Sequence, residues 1–396
     1  MAPVSPSKTT AKMCTVEVPI NIALVKYWGK RGSPEQMLPL NDSISVTIDA
    51  LYARTSVLVA QEDCDAVYIN DKKVDCGPGT RFHQCLNEFR SLLRSEKRDS
   101  KSAALEPYFE IRSKTNFPIE AGLASSAAGF AAIAFALGQM FALDNDEVVR
   151  LARLGSGSAC RSVLPGFVHW QAGTEPDGRD CVCSSIHSID HWPTLRMIIA
   201  VTSEQSKMYR STDAMAQSVA TSELLPYRVQ HCVPKRVQLL KQSIEHRDFD
   251  AFADVVIRDS NQMHAVCMDT RPAILYLSPA SMQLVRVCEA FNQRYSSAAG
   301  SRPPSQVAYT FDAGPNCCIL LEEHLLSTFM PILLHYCPPS ETKSIRYCTL
   351  NDTGFMDTHA ALDTTLLGDR VHPMVDAVQY YVVSTVGAGP KLVEHE

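Results

Sequence analysis

No two of the fourteen cysteines stand in CxxC spacing. The nearest arrangements are Cys181 with Cys183 and the adjacent Cys317 and Cys318, which indicate neither zinc-finger ligands nor a disulfide framework. The cysteines read as reduced, mostly buried small hydrophobes. Long basic runs are also missing. With a net charge of −6, this argues against nucleic acid or an anionic membrane as the main partner. The apolar stretch around Gly129 to Leu137 falls far short of the roughly 18 residues of a membrane span, and the opening MAPVSPSKTTAKM has no apolar signal-peptide core. These absences predict a cytoplasmic protein, in the cytosol, that acts on something small.

Several catalytic signatures are absent too: the Walker GxxxxGK[ST], GxGxxG after a strand, HExxH and GxSxG. His246-Arg247-Asp248 spells the kinase HRD, but Ala253 occupies the position of the expected asparagine and no DFG follows. It reads as a turn between helices. No internal repeat is visible, and Ser296 to Ser305 (SSAAGSRPPS) reads as a surface loop.

What is present is a chain of 396 residues, 45% hydrophobic and 20% charged, long enough for a large core and about two or three domains. Asn116 to Gln139, NFPIEAGLASSAAGFAAIAFALGQ, places Gly122, Ser125, Ser126 and Gly129 among alanines ahead of an uninterrupted apolar run. It reads as a phosphate loop feeding a buried helix, since small side chains let an anion reach the unpaired N–H groups at a helix N-terminus. A tightly packed Gly/Ala helix is the alternative. Lys26-Tyr27-Trp28-Gly29-Lys30-Arg31 ends a β-rich stretch from Cys14 to Val25 with three cations and two aromatics, suited to an anionic ligand or to an exposed turn. Gly155-Ser156-Gly157-Ser158-Ala159-Cys160-Arg161-Ser162 is a second small, hydroxyl-rich segment, with Arg161 expected on the first turn of a helix. Arg81 opens an amphipathic helix over Thr80 to Arg94, where a cation opposes the helix dipole. Asp312 ends a strand, Gln306 to Asp312, and precedes a tight turn, either as a turn former or to orient or deprotonate a hydroxyl.

Elsewhere, alternation predicts strands at Ser43 to Ile48, Arg54 to Val59, Tyr108 to Ser113, Phe167 to Gln171 and Leu195 to Thr202, and a hairpin over Val67 to Val74 turning at Asn70-Asp71. Helical periodicity covers Asp146 to Leu154, Lys207 to Val219, Val229 to Glu245, Phe249 to Val266 and Met282 to Tyr295. The shift in composition near residue 195 marks the expected domain boundary.

Taken together and in order, NIALVKYWGKRG, FPIEAGLASSAAG, GSGSACRS and AYTFDAGPN resemble the mevalonate diphosphate decarboxylase family of the GHMP small-molecule kinase superfamily. The resemblance spans roughly residues 16 to 320 and a terminal strand, Val378 to Val386. It implies an α+β fold of two domains, 1–195 and 196–396, with the strand near 378–386 joining the first. Mixed or antiparallel sheets would pack against helices around an interdomain active-site cleft. It further implies ATP as cosubstrate, Mg2+, mevalonate diphosphate as substrate and a homodimer. The reaction phosphorylates a tertiary hydroxyl and then releases phosphate and carbon dioxide to give isopentenyl diphosphate.

Carried onto this sequence, Asp312 matches the catalytic aspartate, Arg161 the arginine holding the substrate carboxylate, and Lys26 a cation near the reacting groups. Ser126 matches the loop serine facing the ATP phosphates, with a magnesium contact. Tyr27, Trp28, Gly29, Lys30, Arg81, Ser156, Gly157, Ser158, Ala159, Cys160 and Thr212 match substrate-binding positions, and Gly122, Leu123, Ala124, Ser125, Ser126 and Ala127 the ATP loop. The sequence departs from the pattern at Ile119, Glu120 and Pro165. A kinase that stops at phosphorylation would share the loop, and a non-catalytic sensor on this fold would be expected to lack Asp312 or Arg161.

Overall fold

The structure, a computed structural model, describes residues 13–96, 107–117, 125–204, 209–294, 304–340, 344–350, 367 and 371–395, without the side chains of 34, 95, 96 and 125. Its first large sheet contains β1 (Met13–Val25), β4 (Ser43–Val59), β5 (Ala66–Ile69), β6 (Lys72–Val74), β7 (Phe109–Thr115), β8 (Phe167–Trp170), β9 (Cys183–His187) and β15 (Lys391–His395); the numbering in chain order includes the short pair β2 (Lys30–Arg31) and β3 (Leu38–Pro39). The strand order is β15-β1-β4-β7-β5-β6, with β8 also on β4 and β9 on β8. The second sheet runs β11-β12-β10-β14-β13, from β10 (Leu195–Val201), β11 (Val307–Phe311), β12 (Cys317–Glu322), β13 (Ile345–Cys348) and β14 (Tyr380–Thr385).

β1 lies between β15 and β4 and is almost wholly buried, as its β-branched, apolar sequence requires. Ser43 to Ile48 and Arg54 to Val59 are one strand rather than two. Opposite Pro19 and Ile20 the register jumps from Tyr52 to Ile48, so β4 absorbs three extra residues as a bulge at a proline that cannot donate to the ladder. Asn116 pins that bulge, accepting from Tyr52 N and donating to Ala50 O, both at 2.9 Å.

Helices α1 (Arg81–Glu96), α2 (Ser125–Phe141) and α3 (Asn145–Gly155) cover the first sheet. α2 and α3 approach closely because glycines face the contact: a Cβ on Gly155 would sit 2.1 Å from the Phe130 ring and one on Gly138 2.5 Å from Val148. Around the second sheet pack α4 (Ser211–Thr221), α5 (Leu224–Tyr227), α6 (Val233–His246), α7 (Phe249–Asp269), α8 (Pro279–Arg294) and α9 (Leu326–Tyr336). α5 continues into α6 through one π turn, Arg228–Cys232. One apolar cluster joins both sheets, from Ile20, Ile22 and Ile48 through Val256 and Phe252 to Met197 and Val382.

Two further expectations change. The strand near 378–386 belongs to the second sheet, where β14 pairs with β10 and β13; it meets the first through the bridge Ile48 to Val386 and the hydrogen bond from the Ala50 N–H to Ser384 Oγ, and β15 is the strand that returns there. Arg161 does not open a helix but closes a single 3-10 turn, Gly157–Arg161. The turn at Asn70-Asp71 forms as read, with φ of 47° and 65°, and His246-Arg247-Asp248 is the α6–α7 junction, Asp248 capping α7. The ten buried cysteines and the four more accessible ones are all free thiols. Among the described residues no helix is long and apolar enough to cross a membrane.

Candidate active site

The ends of β1 and β11 meet across the two sheets. Lys26, one residue past β1, donates from Nζ to Asp312 Oδ1 at 2.7 Å, and Asp312 is one residue past β11. The lysine side chain is 3% exposed and the aspartate 34%, so the amine is sunk in protein while the carboxylate opens to a cleft of about 140 Å³.

Four cations share that cleft: Lys26, Lys30, Arg81 and Arg161. Burial, then the neighbouring Arg81, lowers the Lys30 pKa; burial, then Arg210, lowers that of Arg81. Cations so crowded call for anions. Arg161 is held rigidly, donating from Nε to Asn21 Oδ1 at 3.0 Å and from Nη1 to Ser43 Oγ at 2.7 Å, with its guanidinium 5.6 Å from the centroid of Trp170. Asn21 in turn donates to Ser158 O and Ser162 Oγ at 3.0 and 2.8 Å, which ties the GSGSACRS turn to β1. A Cβ on Gly157 would lie 3.0 Å from the Tyr27 hydroxyl, so only glycine leaves that wall intact. Tyr27 packs edge-on against Trp170 at 4.8 Å. Its buried hydroxyl has no hydrogen-bond partner among the described residues, and burial pushes its pKa up, which keeps it a donor.

Tyr27, Trp28, Lys30, Arg81, Ser126, Ser156, Gly157, Ser158 and Thr212 all line the cleft. Gly29, Ala159 and Cys160 do not. Gly29 makes a left-handed turn (φ 92°) packed on Leu40, while Ala159 and Cys160 point into the core behind the 3-10 turn. The family resemblance brought them in as members of motifs whose neighbouring residues line the cleft. Ala127 is likewise buried, and Gly122, Leu123, Ala124, Ile119 and Glu120 lie outside the described residues, as does the side chain of Ser125. Reading the sequence missed Asn21, Met37, Ser211, Met215 and Met263. Of these only Asn21, a lone amide in the apolar run VPINIALV, carried a signal.

Exposed Ser126 sits in the first turn of α2 and, with Arg81, lines a second cavity of about 440 Å³. Ile69, Phe82, Phe130 and Ile133 make that cavity mostly apolar, and Arg81 lies over the Phe130 ring at 5.4 Å. A cationic, polar cleft and an apolar pocket therefore meet at one helix N-terminus.

Two family models match the chain: the Diphosphomevalonate decarboxylase-like N-terminal domain over residues 18–183 and the Mevalonate 5-diphosphate decarboxylase C-terminal domain over 197–393. The human Diphosphomevalonate decarboxylase is 37% identical over 391 residues, covering 96% of this chain and 93% of its own length. Among solved structures, mevalonate diphosphate decarboxylase from Trypanosoma brucei superposes with a TM-score of 0.86 at 33% identity, covering 96% of this chain and 98% of its own. Another, described as MDDEF in complex with MVAPP, AMPPCP and magnesium, has a TM-score of 0.71 at 25% identity over 96% of this chain and 99% of its own. With both halves matched and nearly the whole length covered, the chain belongs to the diphosphomevalonate decarboxylase family.

Proposed function

We propose that the protein converts (R)-5-diphosphomevalonate and ATP to isopentenyl diphosphate, ADP, phosphate and carbon dioxide. The observation that carries the reading is the Lys26–Asp312 pair set among Lys30, Arg81 and Arg161, beside an apolar pocket that shares Arg81 and Ser126. A structure of a relative in complex with MVAPP, AMPPCP and magnesium supports the same ligand set.

In this reading the nucleotide base occupies the apolar pocket, with its phosphates at the α2 N-terminus. The substrate diphosphate meets Lys30 and Arg81, and Arg161 holds the carboxylate with its planar fork. Asp312 accepts a hydrogen bond from the tertiary hydroxyl and aims it at the γ-phosphate. Because proton loss in a loose phosphoryl-transfer transition state is late, orientation is its larger contribution, the proton passing at the end to Asp312 and from it to solvent, which restores the carboxylate. Lys26 offsets charge on the transferring group. Once phosphorylated, the tertiary oxygen departs as phosphate, the carbon–carboxylate bond supplies the electron pair of the new double bond, and carbon dioxide leaves; the Asp312 carboxylate stabilises positive charge at the tertiary carbon.

Magnesium fits the site through the exposed Ser126 hydroxyl, a hard oxygen donor; no cluster of three or more His, Cys, Asp or Glu among the described residues forms a protein cage for a metal. That composition suits an ion held largely by phosphates and water, which supplies charge neutralisation when bound. A cytosolic homodimer serving isoprenoid and sterol synthesis completes the proposal.

The test is carbon dioxide release from mevalonate diphosphate with and without ATP and magnesium. Carbon dioxide, phosphate and ADP in equal amounts, strictly dependent on both, are expected. Turnover without ATP, or accumulation of a stable phosphorylated product without carbon dioxide, overturns the proposal.

A further inference from the structure

Two successive residues of α7 hold the backbones that carry Lys26 and Asp312. Asp259 Oδ1 accepts from the Lys26 backbone N–H at 2.7 Å. Ser260 Oγ accepts from the N–H of Phe311, the residue before Asp312, at 3.0 Å. Both side chains are fully buried. One turn on, Met263 reaches the cleft and His264 packs edge-on to Phe311 at 6.1 Å.

The grip on Lys26 is two-sided. Arg228, from the π turn between α5 and α6, forks onto Asp259 at 2.8 and 3.0 Å and also donates to the Lys26 carbonyl at 3.1 Å. Arg236 reaches the same carboxylate at 3.0 Å, and Asn41 reaches the same carbonyl at 3.0 Å. The Lys26 peptide N–H and C=O are thus gripped by the two members of one buried ion pair. Such a pair is weak evidence for stability, because an apolar substitute of similar volume often holds a core as well. What it provides here is direction. It fixes the backbone of Lys26, just past the end of β1, against α7, while the next residue of the helix fixes one peptide of β11. Consecutive Cα atoms are about 3.8 Å apart in a rigid helix, so the helix sets the gap between the two strand ends independently of the contact between Lys26 and Asp312.

We infer that Asp259 and Ser260, with Arg228 behind them, are positioning residues that set the spacing of Lys26 and Asp312 across the two sheets. The inference rests on the proposed roles of Lys26 and Asp312. None of the three lines the cleft, so they act on rate through geometry and not through ligand contact.

Ser260→Ala is the primary test, since it removes one neutral acceptor, whereas changing Asp259 strands two arginines. It should lower kcat about 10-fold while leaving KM for both substrates within about twofold, because small misplacements of reacting groups cost rate before affinity. Val256→Ala, fully buried one turn earlier on α7, is the control: it should lower Tm at least as much with kcat within about twofold. Should Ser260→Ala not fold, Ser260→Cys, with a poorer acceptor of similar shape, takes its place with the same expectation. Wild-type kcat in the Ser260 variant, or an equal loss of kcat in Val256→Ala, overturns the inference. Asp312→Asn run alongside separates the failures. An active Asp312→Asn protein defeats the assignment of the pair, whereas an inactive one beside a fast Ser260→Ala defeats the positioning role alone.

Discussion

Asp312 brings a negative charge into a cleft that it shares with four cations, and that contrast makes its substitution diagnostic. Asp312→Asn keeps size and some hydrogen bonding but removes the charge. We expect kcat to fall by about 100-fold or more with KM little changed; a normally folded variant retaining more than about a tenth of the activity rules out the role. Arg161→Lys keeps charge but loses the fork that Asn21 and Ser43 hold in register. Its rate should therefore fall further than its affinity, a split that steady-state kinetics reads directly. Ser126 and Arg81 each line both cavities, which weakens any clean division of labour, yet their chemistry still differs. Ser126→Ala should chiefly raise the KM for ATP and Arg81→Ala that for mevalonate diphosphate, by roughly 10- to 150-fold for a lost charge-assisted contact. Equal effects on both ligands in both variants would show that the two subsites act as one.

At the scale of elements, the α2–α3 contact offers the sharpest stability test. Gly155→Ala would drive a methyl into the Phe130 ring, so the helices must part at a cost of about 1–3 kcal/mol, to be read as a lower midpoint in urea or thermal melts. An unchanged midpoint would mean that Phe130 turns aside freely. Elements whose signals are local were legible in the sequence: the Asn70-Asp71 turn, because both residues accept left-handed φ, and the α6–α7 junction, because His246-Arg247-Asp248 falls between two helically periodic segments. Signals carried by topology were not. Nothing local says that β4 continues through a three-residue bulge, or that the chain's last strand returns to β1. The strands Cys183–His187, Cys317–Glu322, Ile345–Cys348 and Lys391–His395 also escaped, being short, uniformly buried or uniformly exposed, as did α9, which runs unbroken with Pro331 inside it. The site divides the same way. Lys26, Arg161 and Asp312 sit in compact motifs, whereas Ser260 and Arg228 become meaningful only once α7 and the π turn lie against β1 and β11.

For the whole molecule, acid is the expected weakness. Burial, then the charge on Lys26, lowers the His264 pKa from 6.5 to about 4. Above pH 6.5 the residue is neutral folded or unfolded and its contribution is complete. As pH falls from there toward 4 the unfolded chain takes up a proton that the folded protein refuses, and stability drops by about 1.4 kcal/mol per pH unit. Burial pushes the Asp259 carboxyl up, but Arg228 and Arg236 outweigh it and hold the pKa below the usual carboxylate range, so Asp259 adds to the loss as pH falls from that range toward its lower folded pKa. Melting His264→Gln beside the wild type between pH 7.5 and 5 should give a flatter profile for the variant; parallel profiles would remove His264 from the account. The crowded cations carry a different consequence. Burial and the neighbouring Arg81 lower the Lys30 pKa, and a bound polyanion reverses that electrostatic pressure, so in alkaline solution, where the free site gives up that proton and the occupied site keeps it, seating the ligand recruits a proton from solvent. Affinity should therefore weaken as the solution is made more alkaline, and the heat measured on titrating in mevalonate diphosphate should change with the ionisation enthalpy of the buffer, because the buffer supplies that proton.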